Sequence, residues 1–289
     1  MKREHVQRMI DTALDRLAEA LEQGQSDTLK AYLEMLGRFH RYSFGNVLLI
    51  AMQRPDATHV AGFRTWQTLG RYVKSGEKAI RIFAPIIRKL AAKEKGDNKD
   101  TEEMKSLVAF RTVCVFDIGQ TEGKELPAFS AVRGTPGALT VALREFAKTR
   151  GIEVQDSISL GAAQGASCGG QILIRKGLPP AEEFSTLVHE IAHELLHRDS
   201  AETSKTIRET EAEAVAFVVC QSAGLDTNTA ASDYIQLYQG NRDVLRESLE
   251  RIQCAAQNIL DAVLIRGTQE AAIPQLTSHE VPIGDIHRG

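Results

Sequence analysis

The run LVHEIAHELLH, Leu187 to His197, sets three histidines and two glutamates among leucine, valine, isoleucine and alanine. A helix that only packed would leave His189 and His193 in need of buried hydrogen-bond partners and Glu190 in need of a compensating charge. One metal ion would satisfy all three. Residues four apart lie on one face of a helix, so both imidazoles of His189-Glu190-Ile191-Ala192-His193 can reach a single ion. Glu190, one step round, reaches the open coordination position, where it can take a proton from a bound water whose pKa the ion has lowered. The implied chemistry is hydrolysis at a carbonyl, with Zn2+ as the expected ion.

A catalytic zinc usually takes three protein ligands, and the downstream run RETEAEAVAFVV offers Glu209, Glu211 and Glu213. Glu211 belongs to the apolar stripe that continues through Ala214, Val215, Val218 and Val219, which makes it the expected third ligand. Glu213, ahead of Ala216 and Phe217, is the alternative, or a neighbour that orients a histidine through its second ring nitrogen. His197 shares the face of His193 but lies about 6 Å further along the axis. It reads as a residue behind the ligands, a substrate contact or a core histidine. Glu194 reads as a solvated helix residue. The strand GGQILIRKG, just upstream, offers a free edge for an extended peptide or is an ordinary sheet strand.

The elements that must hold this site are legible by periodicity. Pro179 and Pro180 start the site helix about two turns before His189, with acids in its first turn. A second helix spans 206–223, and further helices cover AASDYIQLYQG and RDVLRESLERIQCAAQNILDAVLI. Upstream, VQRMIDTALDRLAEAL and SDTLKAYLEMLGRFHRY are helices, the second capped by Ser26 or Asp27. FRTWQTLG is a short helix, IRIFAPII and SLVAFRTVCVFDI are paired strands, and the charged stretch 88–105 is the loop between them. ALTVALREFAKTRG is a helix, followed by an extended GIEVQ. The turn-rich RGTPGA marks a boundary. The expected class is α+β: a small α+β domain over 1–130, a mostly helical domain over 131–265 and a loose tail over 266–289.

Charge is divided unevenly. Residues 1–130 hold 21 Lys/Arg against 17 Asp/Glu, and 131–289 hold 14 against 21. Within 38–89 ten basic residues face only Asp56 and Glu77, a balance that suits a polyanion partner for the first half. Cys114, Cys168, Cys220 and Cys254 are far apart and form no CxxC pair. With no apolar signal region at the amino terminus, they suggest a reduced, cytoplasmic protein. No apolar run of about 18 residues is present, so no membrane partner is expected.

HEIAHELLH and ETEAEAVA together resemble the ImmA/IrrE-type metallopeptidases, whose pattern is HExxH with a downstream E-x-E-A-(N/D)-x-F-A. The resemblance places Glu211 on the third ligand; Glu213 stands where Asn or Asp is usual and Val215 where an aromatic is usual. It implies a zincin-like domain. The first half resembles the single-stranded-DNA-binding amino-terminal domain of ArdC-type antirestriction proteins. The residues that carry this are YSFGNVLLI (Tyr42, Ser43, Asn46), FRTWQTLGRYVKSGEKAIRIFAP (Trp66, Gly70, Val73, Gly76, Glu77, Lys78) and VCVFDIGQTEGKELP (Phe116, Gln120, Thr121). The two resemblances cover about 38–130 and 170–220. Single-strand binding needs a positive groove and aromatic faces, and the expected contacts are Arg41, Tyr42, Asn46, Trp66, Arg71, Lys74 and Lys78. Trp66 and Tyr42 also fit as core residues.

The expected function is therefore binding of single-stranded DNA joined to zinc-dependent cleavage of a protein substrate, in antirestriction or at proteins stalled on DNA. Two rivals stand beside it. One is a DNA-protecting binder whose zinc domain is structural or inactive; the other is a regulatory peptidase that cuts a repressor.

Overall fold

The computed structural model describes residues 3–89, 105–125, 136–198, 204–225, 237 and 241–264. Three helices open the chain: α1 (Arg3–Glu22), α2 (Ser26–Arg38) and α3 (Phe44–Gln53). Leucines repeat along α1 and α2 at helical spacing, and Leu14, Leu17, Leu21, Leu29, Leu33 and Leu36 are buried. Gly24, at φ 75°, turns the chain between them. The cap of α2 falls one residue earlier than expected: Gln25 holds that place without a side-chain hydrogen bond, and Ser26 is already helical. The turn at Gly24 fixes where the helix begins, and the hydroxyl of Ser26 does not.

There follow β1 (Val60–Gly62), α4 (Phe63–Thr68), β2 (Arg71–Val73), β3 (Ile80–Lys89), β4 (Lys105–Asp117) and β5 (Thr121–Gly123). β4 is the centre of an antiparallel sheet in the order β1-β4-β3, with a bulge between Ile86 and Ile87. β2 and β5 form a separate antiparallel ribbon. Alternation sends Ile80, Ile82, Ala84 and Val115 into the core. Asp117 ends β4 by accepting from the backbone N–H groups of Thr58, His59 and Gly119.

Next come α5 (Pro136–Thr149), β6 (Glu153–Ser157), β7 (Gly165–Ser167), β8 (Gln171–Arg175), α6 (Pro180–Leu196), α7 (Lys205–Ser222) and α8 (Arg242–Leu264). The second three-stranded sheet runs β6-β8-β7, with β8 parallel to β6 and antiparallel to β7. β8 is GGQILIRKG without its ends, and it is the central strand. The edges of this sheet belong instead to β6 and to β7, the latter three residues long and too short for sequence periodicity to reveal. The second half of α7 is apolar all round, with every residue from Ala214 to Cys220 buried, so it serves as the axis of the helical part.

The described residues divide by packing into two compact units, 3–11 with 49–125 and 12–48 with 136–264. The expected module 1–130 is thus one stretch of sequence but two parcels of packing. The reason lies in α2, which closes on α7: a Cβ added at Gly37 would stand 2.8 Å from Ser222 Oγ and 3.2 Å from the Val218 carbonyl. Of the expected loop at 88–105, Arg88 and Lys89 end β3 and Lys105 begins β4, and of the turn-rich boundary at 133–138, Pro136 to Ala138 already form the first turn of α5. The rest of both, the helix at 230–240 apart from residue 237, and the tail at 266–289 lie outside the described residues. Among the described residues no helix is long and apolar enough to cross a membrane.

Candidate functional site

α6 is the helix expected from LVHEIAHELLH. Its apolar side, Phe184, Leu187, Val188, Ile191 and Ala192, is fully buried, which fixes the direction in which the remaining side chains point. His189 and His193 leave on one face and bring their Nε2 atoms to 3.0 Å. Among the described residues, the carboxylate that joins them is Glu209 of α7, whose Oε2 lies 3.5 Å from each. A tetrahedral ion with bonds of about 2.0–2.1 Å sets its donor atoms about 3.3 Å apart. The triangle of 3.0, 3.5 and 3.5 Å therefore fits one divalent ion held by two nitrogens and one oxygen.

Glu211, the residue expected to complete this trio, points elsewhere. Two helical residues are about 200° of turn, so Glu209 and Glu211 leave α7 on opposite sides. Glu211 is wholly buried, with Oε2 2.9 Å from His197 Nε2 and Oε1 accepting from Arg251 of α8. Burial alone would raise its pKa, but hydrogen bonds from His197, Arg251 and Ser248 outweigh it and hold the carboxyl below its usual value. Glu213, four residues past Glu209, returns to the site side of α7 and acts on His189 electrostatically.

Burial lowers the proton affinity of both site histidines, and the neighbouring His189 helps bring His193 down to about 4. Both rings are therefore neutral near pH 7, the form that donates a lone pair. Glu190 behaves oppositely: burial, then the charges of Glu209 and Glu194, push it up to about 7. β7 lies directly on it, since a Cβ at Gly165 would come within 2.8 Å of Glu190 Cγ and Oε1 and 2.7 Å of Thr186 Cγ2.

The Glu190 shift has a sign that can be measured. The folded value lies above the unfolded 4.5, so the native state keeps a proton that the unfolded chain releases between pH 4.5 and about 7. Stability relative to a neutral side chain therefore falls as pH rises through that window. At 1.4 kcal/mol per unit the loss is roughly 3 kcal/mol. Metal-free Glu190→Gln is expected to melt above metal-free wild type at pH 8 and to converge with it near pH 4.5. Equal melting temperatures at pH 8 would refute this.

Glu194 is not solvated as its sequence position suggested. It is buried one turn beyond Glu190 and accepts from Ser167 Oγ at 2.6 Å, Gly169 N at 2.9 Å and Gly170 N at 2.7 Å. It thereby ties the β7–β8 turn to α6, and the turn needs glycine at both places, with φ 71° and 97°. Glu194→Gln turns one acceptor into a donor that faces a backbone N–H. The expected cost is about 1–3 kcal/mol, read as a lower melting temperature; an unchanged one would show that the three contacts contribute nothing.

The first unit carries a different surface. On the side of the β1-β4-β3 sheet away from its core, alternation aligns Arg81, Phe83 and Pro85 with Phe110, Thr112, Cys114 and Phe116. Phe83 meets Phe110 edge to face at 6.2 Å, and Phe63 meets Phe116 in the same way at 6.4 Å. Phe63 and Phe110 remain 48% and 42% exposed, a large apolar area for a sheet face. Gln53 clamps the backbone of Arg81 on both its N–H and its carbonyl.

Residues 3–116 match the profile of the family described as the N-terminal domain of anti-restriction factor ArdC. That stretch is 114 of the 289 residues, so the similarity is one of the first part of the chain. The longer chain shares its fold with the antirestriction protein ArdC of plasmid R388. The metal-free crystal structure of that protein matches with a TM-score of 0.52 and 19% identity over 89% of this chain and 98% of that one. Its Mn(II)-bound structure matches with the same score and 17% identity over 88% and 97%. An uncharacterised protein of Bacillus anthracis is 26% identical across 79% of this chain and 46% of its own length, so the chain spans about half of that relative.

Within residues 3–116 the expected DNA contacts are dispersed. Trp66 is 2% exposed and donates its indole N–H to the Phe116 carbonyl, so its ring is a core anchor and cannot stack on a base. Asn46 is buried as well. Arg71 is spent on β5, with its guanidinium donating to Thr121 Oγ1, the Thr121 carbonyl and the Lys124 carbonyl. Tyr42 is half-buried against Phe39, and Arg41 pairs with Asp261 at 3.7 Å. Lys74 and Lys78 are exposed, the former donating to the Gly119 carbonyl. Exposed Phe110 was not among the expected contacts; alternation along β4 in the sequence was the signal for its outward direction.

Proposed function

We propose that the chain is a metal-dependent peptidase joined to a single-stranded-DNA-binding domain, acting in antirestriction on a protein met at single-stranded DNA. The observation that supports the hydrolytic half is the meeting of His189, His193 and Glu209 at the spacing one ion requires, beside a buried Glu190. Zinc suits a donor set of two imidazoles and one carboxylate; the Mn(II) form of the R388 protein makes manganese the second ion to test. When bound, the ion would supply a water of lowered pKa and polarise the scissile carbonyl. The chain's own part falls to Glu190. With its carboxyl near neutrality it takes up a proton during attack and returns it to the leaving amine. The neutral histidines do not compete for that proton.

The DNA half rests on exposed Phe110 of β4 and Phe63 of α4, and on Arg81, Lys74 and Lys78, which are exposed in the same unit. Such a face stacks on bases without reading their order. Phe110→Ala is expected to weaken binding to an oligothymidylate by roughly five- to a hundred-fold, measured by fluorescence anisotropy. An unchanged affinity would remove this face from the interface.

The test of the whole reading uses a peptide library made by digesting cell protein. The full chain, loaded with Zn(II) or Mn(II), is expected to create new amino termini in the library that a chelator suppresses. Absence of such termini with either metal overturns the peptidase. The rival in which DNA binding alone protects is favoured by one fact, that the aromatic face lies in the unit without the metal cluster. Full protection of DNA in cells by Glu190→Gln would select that rival.

A further inference from the structure

We infer that His197, Glu211 and Arg251 form a hydrogen-bonded relay that fixes the ring tautomer of His193 and so presents its Nε2 lone pair to the metal. The inference rests on the metal-centre reading above. The contacts are continuous across three helices. On α8, Arg251 donates to Glu211 Oε1 and lies 3.1 Å from Ser248 Oγ. On α7, Glu211 Oε2 stands 2.9 Å from His197 Nε2. On α6, His197 Nδ1 stands 3.1 Å from His193 Nδ1, and His193 Nε2 is the atom that faces His189 and Glu209. Glu211 is completely buried and the His197 side chain is 5% exposed, so water does not stand in for these partners.

With His197 neutral, a single arrangement of protons satisfies the whole chain. A carboxylate paired with a guanidinium accepts and does not donate, so His197 carries its proton on Nε2. A neutral imidazole has one N–H, which leaves His197 Nδ1 as an acceptor. The contact between the two Nδ1 atoms then takes its proton from His193. His193 Nε2 is left bare, and it is this nitrogen that looks toward the ion. The reverse order would set a proton on His193 Nε2, 3.0 Å from His189 Nε2, and close the site. A ligating histidine commonly donates its other N–H straight to a carboxylate; here a second imidazole is interposed, which carries the contact through Glu211 to Arg251 on α8. The arrangement also accounts for a fully buried glutamate that is not one of the three donors.

Two measurements test the relay. In the metal-free full chain, long-range proton–nitrogen correlation spectra are expected to show His193 protonated on Nδ1 and His197 on Nε2; the opposite tautomers overturn the proposal. Co(II) uptake, followed by its visible absorption, is then compared in wild type, His197→Phe and His197→Asn. Phenylalanine keeps a ring but offers no acceptor, whereas the asparagine oxygen falls near the place of Nδ1. His197→Phe is expected to bind Co(II) about ten- to a hundred-fold more weakly, and His197→Asn to return to within about threefold of wild type. A role in packing alone would favour phenylalanine. Equal affinity in wild type and His197→Phe, or no recovery in His197→Asn, overturns the relay. A wild type that takes up no Co(II) overturns the metal centre itself and the relay with it.

Discussion

Glu190→Gln is expected to lower peptide hydrolysis by roughly two to four orders of magnitude while metal content stays at the wild-type level. Glutamine fills the same space beneath Gly165 and keeps a polar oxygen, but it cannot take up a proton. Glu190 is not among the three donor atoms that meet at the site, so its loss leaves them in place. The same change relieves the cost of a buried charge above pH 7, so the inactive variant is the more heat-resistant protein in its metal-free form. Turnover in the new-termini assay and elemental analysis on the same preparation decide the matter. Activity within tenfold of wild type would remove Glu190 from the proton transfer.

Glu209→Ala is expected to leave purified protein without stoichiometric metal, with hydrolysis lost in consequence. Glu211→Ala is expected to retain metal at reduced affinity and to be the less stable of the two. The difference follows from exposure. Glu209 reaches the imidazoles from a half-exposed position, so alanine there leaves no buried void. Glu211 is the buried partner of both His197 and Arg251, and its removal leaves their donors without an acceptor. Elemental analysis after dialysis, with thermal melts beside it, separates the two. Metal kept by Glu209→Ala and lost by Glu211→Ala would reverse the assignment of the third ligand.

The choice between these glutamates marks where the sequence could be read and where it could not. His189, Glu190 and His193 were legible because helical spacing alone puts them on one face. The third donor was sought by burial, and burial pointed to Glu211. The proposed hydrolytic centre has to stay open to water and substrate, which suits Glu209 at the half-exposed rim of α7, whereas the buried Glu211 holds His197 and Arg251. Glu194 misled in the same way: its three acceptor contacts come from Ser167, Gly169 and Gly170, about 25 residues away in the chain, which no local pattern reports. Long elements such as α6, α7, β3 and β4 were visible through periodicity. β1, β2, β5 and β7, each three residues long, carry too little repeat to show. In the first unit, aromatic type was visible but its direction was not, so buried Trp66 was chosen among the expected contacts and exposed Phe110 was not.

The burial of Trp66 gives the protein a built-in optical reporter. It is the sole tryptophan of the chain, enclosed in the first unit with its indole N–H bound to a carbonyl. Native emission should therefore be blue-shifted and insensitive to dissolved quenchers, and it should move to the red only when that unit opens. The helical unit that carries the histidines contains no tryptophan, so its melting is silent at those wavelengths and visible in the far-ultraviolet. One sample heated once, observed in both spectral regions, would reveal whether the two halves of this molecule come apart at the same temperature or at two.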